Sequence, residues 1–126
     1  MLSICKRFEF CYGHFLPFHE GKCKVQHGHN AILEVEVTAD ICEVGPERGM
    51  VTDFSALKAV VESKVVDVLD HKFLNSLFPT AGISENPTVE NILIWCVQTL
   101  RTVFEDNLSR VRLYETPDSY AEWRAK

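Results

Sequence analysis

Alternating apolar and polar positions mark out the strands of this chain. From Leu2 to Tyr12 apolar, β-branched and aromatic residues dominate, and Phe8 and Phe10 share one side of a period-two pattern, which predicts a strand. From His27 to Asp40 the alternation is cleaner: after Ile32, Leu33, Val35 and Val37 oppose Glu34, Glu36 and Thr38, as in an antiparallel strand with one buried face. Gly45, Pro46 and Gly49 then turn the chain into the short apolar run Met50-Val51, which predicts a hairpin partner ending at Asp53. Further on, Val111, Leu113 and Glu115 alternate with Arg112, Tyr114 and Thr116 up to Pro117, giving a last strand.

Between these stretches the period lengthens. Asp53-Phe54-Ser55 has the form of a helix start, and Leu57, Val60, Val61, Val65, Val68 and Leu69 recur at helical spacing, predicting a helix from about Ser55 to Leu69. A second begins at Pro87-Thr88, where Thr88 can cap free amides, and carries Ile92, Leu93, Trp95, Cys96, Leu100 and Val103 to an end near Phe104. The expected order is strand, strand, strand, helix, helix, strand. Helices grouped between strands, rather than alternating with them, predict an α+β fold with an antiparallel sheet and both helices on one face. With 126 residues, 46% hydrophobic and 25% charged, the chain suits one domain, 1–126, around one core.

Composition narrows the partners. A net charge of -5 and the lack of any long lysine or arginine cluster argue against nucleic acid and anionic lipid, though local cations can still hold a small anion. No run approaches the roughly 20 apolar residues of a membrane span, and Lys6 and Arg7 come before any signal-like run, so a cytoplasmic protein is expected. The five cysteines, Cys5, Cys11, Cys23, Cys42 and Cys96, are odd in number and scattered, which predicts free thiols. Four of them sit in apolar surroundings along the sequence and are expected to behave as small hydrophobes; Cys23 does not.

Cys23 belongs to the loop from His14 to Gln26, whose Pro17, Gly21 and charged residues have the composition of a functional loop. His27-Gly28-His29 follows it. Two residues apart on a strand, both imidazoles face the same way, and Gly28 allows close approach of a backbone or ligand. Zinc needs nitrogen ligands at about 2.0–2.1 Å, and a same-face pair supplies two. His14 can supply a third if the first two strands are antiparallel neighbours, leaving one position open as in a catalytic site. His19 competes with His14 on spacing alone, and polar strand residues without a metal remain the plainer alternative.

Three further features carry chemistry. Cys23 lies between Lys22 and Lys24, whose charges favour the thiolate that acts as base or nucleophile; a surface thiol and a fourth zinc ligand are its other readings. Asp70 beside His71 suits a proton shuttle, although a histidine answering a helix dipole is the commoner case. Glu115 with Thr116 closes the last strand, where a carboxylate can accept two hydrogen bonds from a guanine-like or pterin ring edge; a surface glutamate is the alternative.

Taken in order, Phe10 to His14, Cys23 with His27-Gly28-His29-Asn30, Gly49 to Phe54, Leu69 to Asn75, Pro87 to Asn91 and Glu115-Thr116 resemble the motifs of the 6-pyruvoyltetrahydropterin synthase and 6-carboxytetrahydropterin synthase family. The resemblance implies the tunnelling fold, a four-stranded antiparallel sheet with two helices, whose subunits join as a homo-oligomer into a β-barrel with active sites at subunit interfaces. It implies zinc on His14, His27 and His29, Cys23 as base, Asp70 and His71 as a relay from a neighbouring subunit, and Glu115 with Thr116 on a pterin. The implied substrate is 7,8-dihydroneopterin triphosphate, with Lys22, Lys24 and Lys72 as triphosphate contacts. The favoured product is 6-carboxy-5,6,7,8-tetrahydropterin, made by a lyase of 7-deazaguanine (queuosine) synthesis. The runners-up are 6-pyruvoyltetrahydropterin synthesis and a non-catalytic zinc or pterin-binding scaffold. Tyr12-Gly13 stands where small alanines are common in that family, Phe15 where arginine is frequent, and the loop from His14 to Cys23 is short.

Overall fold

The computed structural model describes the backbone of residues 1–126 and every side chain except that of Phe78. Strand β1 (Leu2–His14) runs antiparallel to β2 (His27–Ala39), with Leu2 opposite Ala39 and His14 opposite His27. A helical stretch follows: α1 (Phe54–Val61), a π-helical segment Glu62–Val66, and the closing turn α2 (Asp67–Leu69). Asp53 starts it by accepting a hydrogen bond from the Ser55 amide at 2.7 Å, and Leu57, Val61, Val65 and Leu69 form its buried stripe. Next come the two-residue strand β3 (Lys72–Phe73), the short helix α3 (Phe78–Ala81) and the long helix α4 (Val89–Phe104). Thr88 caps α4 through the Asn91 amide. The chain ends in β4 (Leu108–Thr116) and β5 (Ser119–Arg124).

These strands make one sheet in the order β3-β1-β2-β4-β5. Phe8, Phe10, Ala31, Leu33, Val35, Val111 and Leu113 point from it into the same core as Leu57, Val61, Ile92, Cys96 and Leu100 of the helices. Each fully buried Val, Leu, Ile or Phe among them contributes about 1.5–3 kcal/mol. The opposite face carries Arg7, Glu34, Arg110, Arg112 and Glu122, joined by hydrogen bonds.

The sheet therefore has five strands and is mixed, where four antiparallel strands are expected from the sequence. One addition is β3, parallel to β1 through Tyr12–Lys72 and Gly13–Phe73; two residues are too few to leave a periodic signal. The other is β5, reached by a turn at Pro117-Asp118 and paired antiparallel with β4. Met50-Val51 is not a strand. Its backbone closes its own loop instead, with Cys42 N donating to Met50 O at 2.8 Å and Gly49 N to Cys42 O at 2.9 Å. Gly49 takes φ 84°, a conformation that favours glycine. Of the four cysteines expected to pack as hydrophobes, only Cys96 is buried; Cys5 and Cys11 fall on the outward side of β1, and Cys42 is half-buried in its loop. The subunit on its own is an open sheet, and closure into a barrel would require other copies.

Candidate functional site

Antiparallel pairing decides the chemistry at one end of the sheet. The register sets His14 opposite His27 and Tyr12 opposite His29, so three imidazoles converge from two strands. Their ligand atoms all lie within 4.8 Å of one another. His14 and His29 bring their Nε2 atoms to 3.1 Å. The Glu115 carboxylate, one residue beyond the Ile32–Tyr114 pair on β4, reaches in from the side, with Oε1 3.3 Å from His29 Nε2 and 3.5 Å from His14 Nε2.

Backbone carbonyls set the tautomers. His14 Nδ1 donates to Pro87 O at 2.8 Å, and His27 Nδ1 to Val25 O at 2.7 Å, which leaves both Nε2 atoms as lone-pair acceptors. His14 is fully buried, and burial lowers its pKa to about 4 despite the Pro87 carbonyl. His29 is lowered too, first by burial; the nearby Glu115 carboxylate opposes that shift, and His27 adds to it. His14 is thus neutral at pH 7, and the approach of Glu115 to it is a contact between a carboxylate and a neutral ring rather than an ion pair. The Nε2 lone pairs of His14 and His27, gathered beside His29 and a carboxylate, are suited to a cation. Three imidazoles, two of them oriented by backbone carbonyls, are a donor set that fits zinc.

The rest of the expected site divides in two. A cleft of about 770 Å³ is bordered by His27, His29, Asn30, Cys11, His71 and Lys72. Strand β3 brings His71 there, because pairing next to Tyr12 ties the preceding residues to β1: His71 N donates to Cys11 O at 2.6 Å, and Asp70 Oδ1 accepts from Cys11 N at 3.0 Å. Asp70 Oδ1 also lies 2.9 Å from His71 Nδ1. The Cys11 amide, ahead of His71, holds the Asp70 carboxyl below its usual range. His71 is non-glycine at φ 59°, a sparsely populated conformation that turns its ring outward, and its side chain is exposed. Within one chain, then, His71 already borders the cleft that His27 and His29 line.

The structure does not gather the others. Cys23 sits half-buried in the single 3-10 turn Lys22–Lys24, where its carbonyl accepts from Leu16 N at 2.7 Å, and it lies outside the histidine group. Thr116 is committed to the β4–β5 turn, donating to Asp118 Oδ1 at 2.8 Å. His19 is exposed and accepts from Gly21 N, away from the other three histidines. Of the three lysines named for the triphosphate, Lys72 borders the cleft.

The sequence reading missed Cys11, whose thiol donates to Asn30 Oδ1 at 3.0 Å on the cleft wall, and the roles of the Val25 and Pro87 carbonyls. It also missed Tyr12, 3% exposed, whose ring packs 5.1 Å from that of His14 and 5.6 Å from that of His29. Among the described residues, its hydroxyl is the one buried side-chain polar atom without a hydrogen-bond partner. Period-two placement of Tyr12 beside His14 on the inward face of β1 could have pointed to it.

A sequence profile of the family described as 6-pyruvoyl tetrahydropterin synthase matches residues 3–126. The chain belongs to this family. A protein of Synechocystis sp. named 6-carboxy-5,6,7,8-tetrahydropterin synthase is 40% identical over 124 residues, covering 98% of this chain and 93% of that one. One of the same name from Haemophilus influenzae is 34% identical over 142 aligned positions, covering 98% and 99%. The solved 6-pyruvoyl tetrahydropterin synthase of Caenorhabditis elegans superposes with a TM-score of 0.80 at 25% identity, over 99% of this chain and 96% of that one. These relatives are enzymes, and the chain is a member of an enzyme family. Among the described residues no helix is long and apolar enough to cross a membrane.

Proposed function

We propose that this chain is a zinc-dependent 6-carboxytetrahydropterin synthase. It would convert 7,8-dihydroneopterin triphosphate to 6-carboxy-5,6,7,8-tetrahydropterin, with release of acetaldehyde and triphosphate, in 7-deazaguanine (queuosine) synthesis. The observation that carries this is the convergence of His14, His27 and His29 beside an open cleft, in a chain resembling synthases of that name over nearly its full length.

Zinc held by the three imidazoles would act as a Lewis acid on the substrate side-chain oxygens, making the neighbouring C–H more acidic. Cys23 takes that proton as general base. Asp70 orients His71 through the 2.9 Å contact, and His71 carries protons at the cleft rim as triphosphate leaves. Glu115 and Thr116 hold the pterin ring edge, and Lys72, on the cleft wall, meets the triphosphate, with Lys22 and Lys24 as further candidates. The reading includes a single domain over 1–126, a cytoplasmic location and a homo-oligomer. Open strand edges support the assembly, and Cys23, which does not line the cleft in one subunit, is the residue it would have to bring into play.

The test is to incubate the zinc-loaded protein with 7,8-dihydroneopterin triphosphate and identify the products by mass. Acetaldehyde together with 6-carboxytetrahydropterin is expected. The likeness to the Caenorhabditis elegans enzyme favours a second reading, 6-pyruvoyltetrahydropterin synthesis, and triphosphate release without acetaldehyde would establish it. Mixing Cys23→Ala and His71→Ala chains should restore part of the activity if active sites are shared between subunits; no rescue in demonstrably mixed oligomers would place each site within one chain.

A further inference from the structure

Glu115 stands closer to the imidazoles than an anchor for a distant ring needs to. Its Oε1 is 3.5 Å from His14 Nε2 and 3.3 Å from His29 Nε2, and those two nitrogens are 3.1 Å apart. Bonds of about 2.0–2.1 Å at tetrahedral angles separate neighbouring ligand atoms by about 3.3–3.4 Å. The two nitrogens and the oxygen therefore approximate one face of a four-coordinate zinc site. On the His14 side the ring is already committed, its Nδ1 donating to Pro87 O, so the Nε2 that faces the Glu115 oxygen is free to bind a metal.

We propose that in the ligand-free protein Glu115 is a fourth metal ligand, which closes the site, and that an arriving pterin draws the carboxylate away and opens the position that substrate oxygens need. The inference rests on the zinc reading above and adds a coupling to it. One carboxylate serves two claimants, so the ring edge of a pterin and the fourth coordination position compete for Glu115. Any pterin that takes Glu115 without offering side-chain oxygens in return weakens zinc binding, and zinc weakens binding of that pterin by the same factor. The resting site is shut to adventitious ligands, and recognition of the correct ring unlocks it.

The test uses zinc-loaded full-length protein and unsubstituted pterin, which has the ring edge but no side-chain hydroxyls. X-ray absorption of the wild type should show three imidazoles and one carboxylate oxygen. Saturating pterin should replace the carboxylate by solvent and weaken zinc in a chelator competition. Glu115→Gln should show solvent in place of the carboxylate from the outset, hold zinc about 10-fold to 100-fold more weakly, and give no spectral response to pterin. A wild-type spectrum with solvent as the fourth ligand, or equal zinc affinity in wild type and Glu115→Gln, overturns the proposal; the wild-type spectrum decides even if the variant folds poorly. Full zinc retention by the His27→Ala, His29→Ala double variant would instead sink the underlying zinc reading, so the two failures are distinguishable.

Discussion

Two buried polar groups sit on opposite faces of the same sheet, and they are treated in opposite ways. Glu34, 8% exposed, is surrounded by donors: Arg7 Nε and Arg110 Nη1 reach its carboxylate at 3.1 and 3.2 Å. Burial raises its pKa, but the hydrogen bonds from Arg7 and Arg110 outweigh that and leave it lowered. His14, 0% exposed, has its inner nitrogen satisfied by Pro87 and its outer nitrogen aimed at another imidazole and a carboxylate. The Glu34 network is complete within the chain and needs nothing further. The His14 cluster keeps nitrogen lone pairs facing one another, which the proposed cation would meet. Both are dense in charge and hydrogen bonding, so what marks the functional end is the unmet coordination and not the polarity.

The largest expected effect tests the incomplete side. His27→Ala should reduce zinc from about one per chain to near none by elemental analysis after dialysis against a chelator, because one of the three imidazoles proposed to hold the metal is lost. Unchanged metal content would mean that the cluster is an ordinary set of packed histidines. Next in size, Cys23→Ala should keep its zinc and its affinity for dihydroneopterin triphosphate, yet lose at least about 10²-fold in turnover, since a base acts on the proton and not on the metal. Parallel loss of zinc and activity would make the thiolate a ligand that subunit assembly brings to the site.

How far these two regions could be read from sequence follows from the range of the interactions that build them. The alternation of Leu33, Val35 and Val37 and the helical spacing of Leu57, Val61 and Val65 are local, and both became the expected elements. His27 and His29 share a face because a strand has period two, and His14 joins them because β1 and β2 pair in the antiparallel sense. What was not legible depends on contacts distant in sequence. The β2–β4 register swings Glu115 onto the imidazoles; the two-residue β3 ties Asp70 and His71 to Cys11; and the Pro87 carbonyl lies 73 residues from the ring it orients. Pro117 marked the end of β4 correctly, but it is followed by a turn and a further strand, not by the edge of the sheet.

The complete side should break differently. Glu34→Ala removes the carboxylate between Arg7 and Arg110 and leaves Arg110, mostly buried, with a poorer set of partners in Glu36 and Glu122. A loss of about 2–3 kcal/mol in urea unfolding is expected, with zinc content unchanged. The wild type should also lose this contribution in acid. Because the folded pKa of Glu34 is depressed, its stabilisation is full above the unfolded value of 4.5 and disappears as pH falls through the lower folded value. In Glu34→Ala that part of the acid slope should be absent. If zinc fell along with stability, the two faces would be coupled and the contrast between them would fail.

The smallest effect concerns Tyr12, which borders the incomplete side without belonging to its donor set. Its hydroxyl is buried and unpartnered, and burial, with the Glu115 carboxylate second, raises its pKa, so it stays a neutral phenol at any working pH. Burying a hydroxyl with no partner costs about 1–3 kcal/mol, and removing it while keeping the ring recovers part of that. Tyr12→Phe should therefore be neutral or more stable by up to about 1 kcal/mol, because the ring packing against His14 and His29 is untouched. Zinc affinity should not change. The informative outcome is the opposite one: if Tyr12→Phe lost stability only in the zinc-loaded protein, the hydroxyl would be donating to a group that moves within reach when the metal binds. Glu115, whose charge it already senses, is the nearest candidate for that acceptor, and the orphaned phenol would then count among the unmet groups of the site.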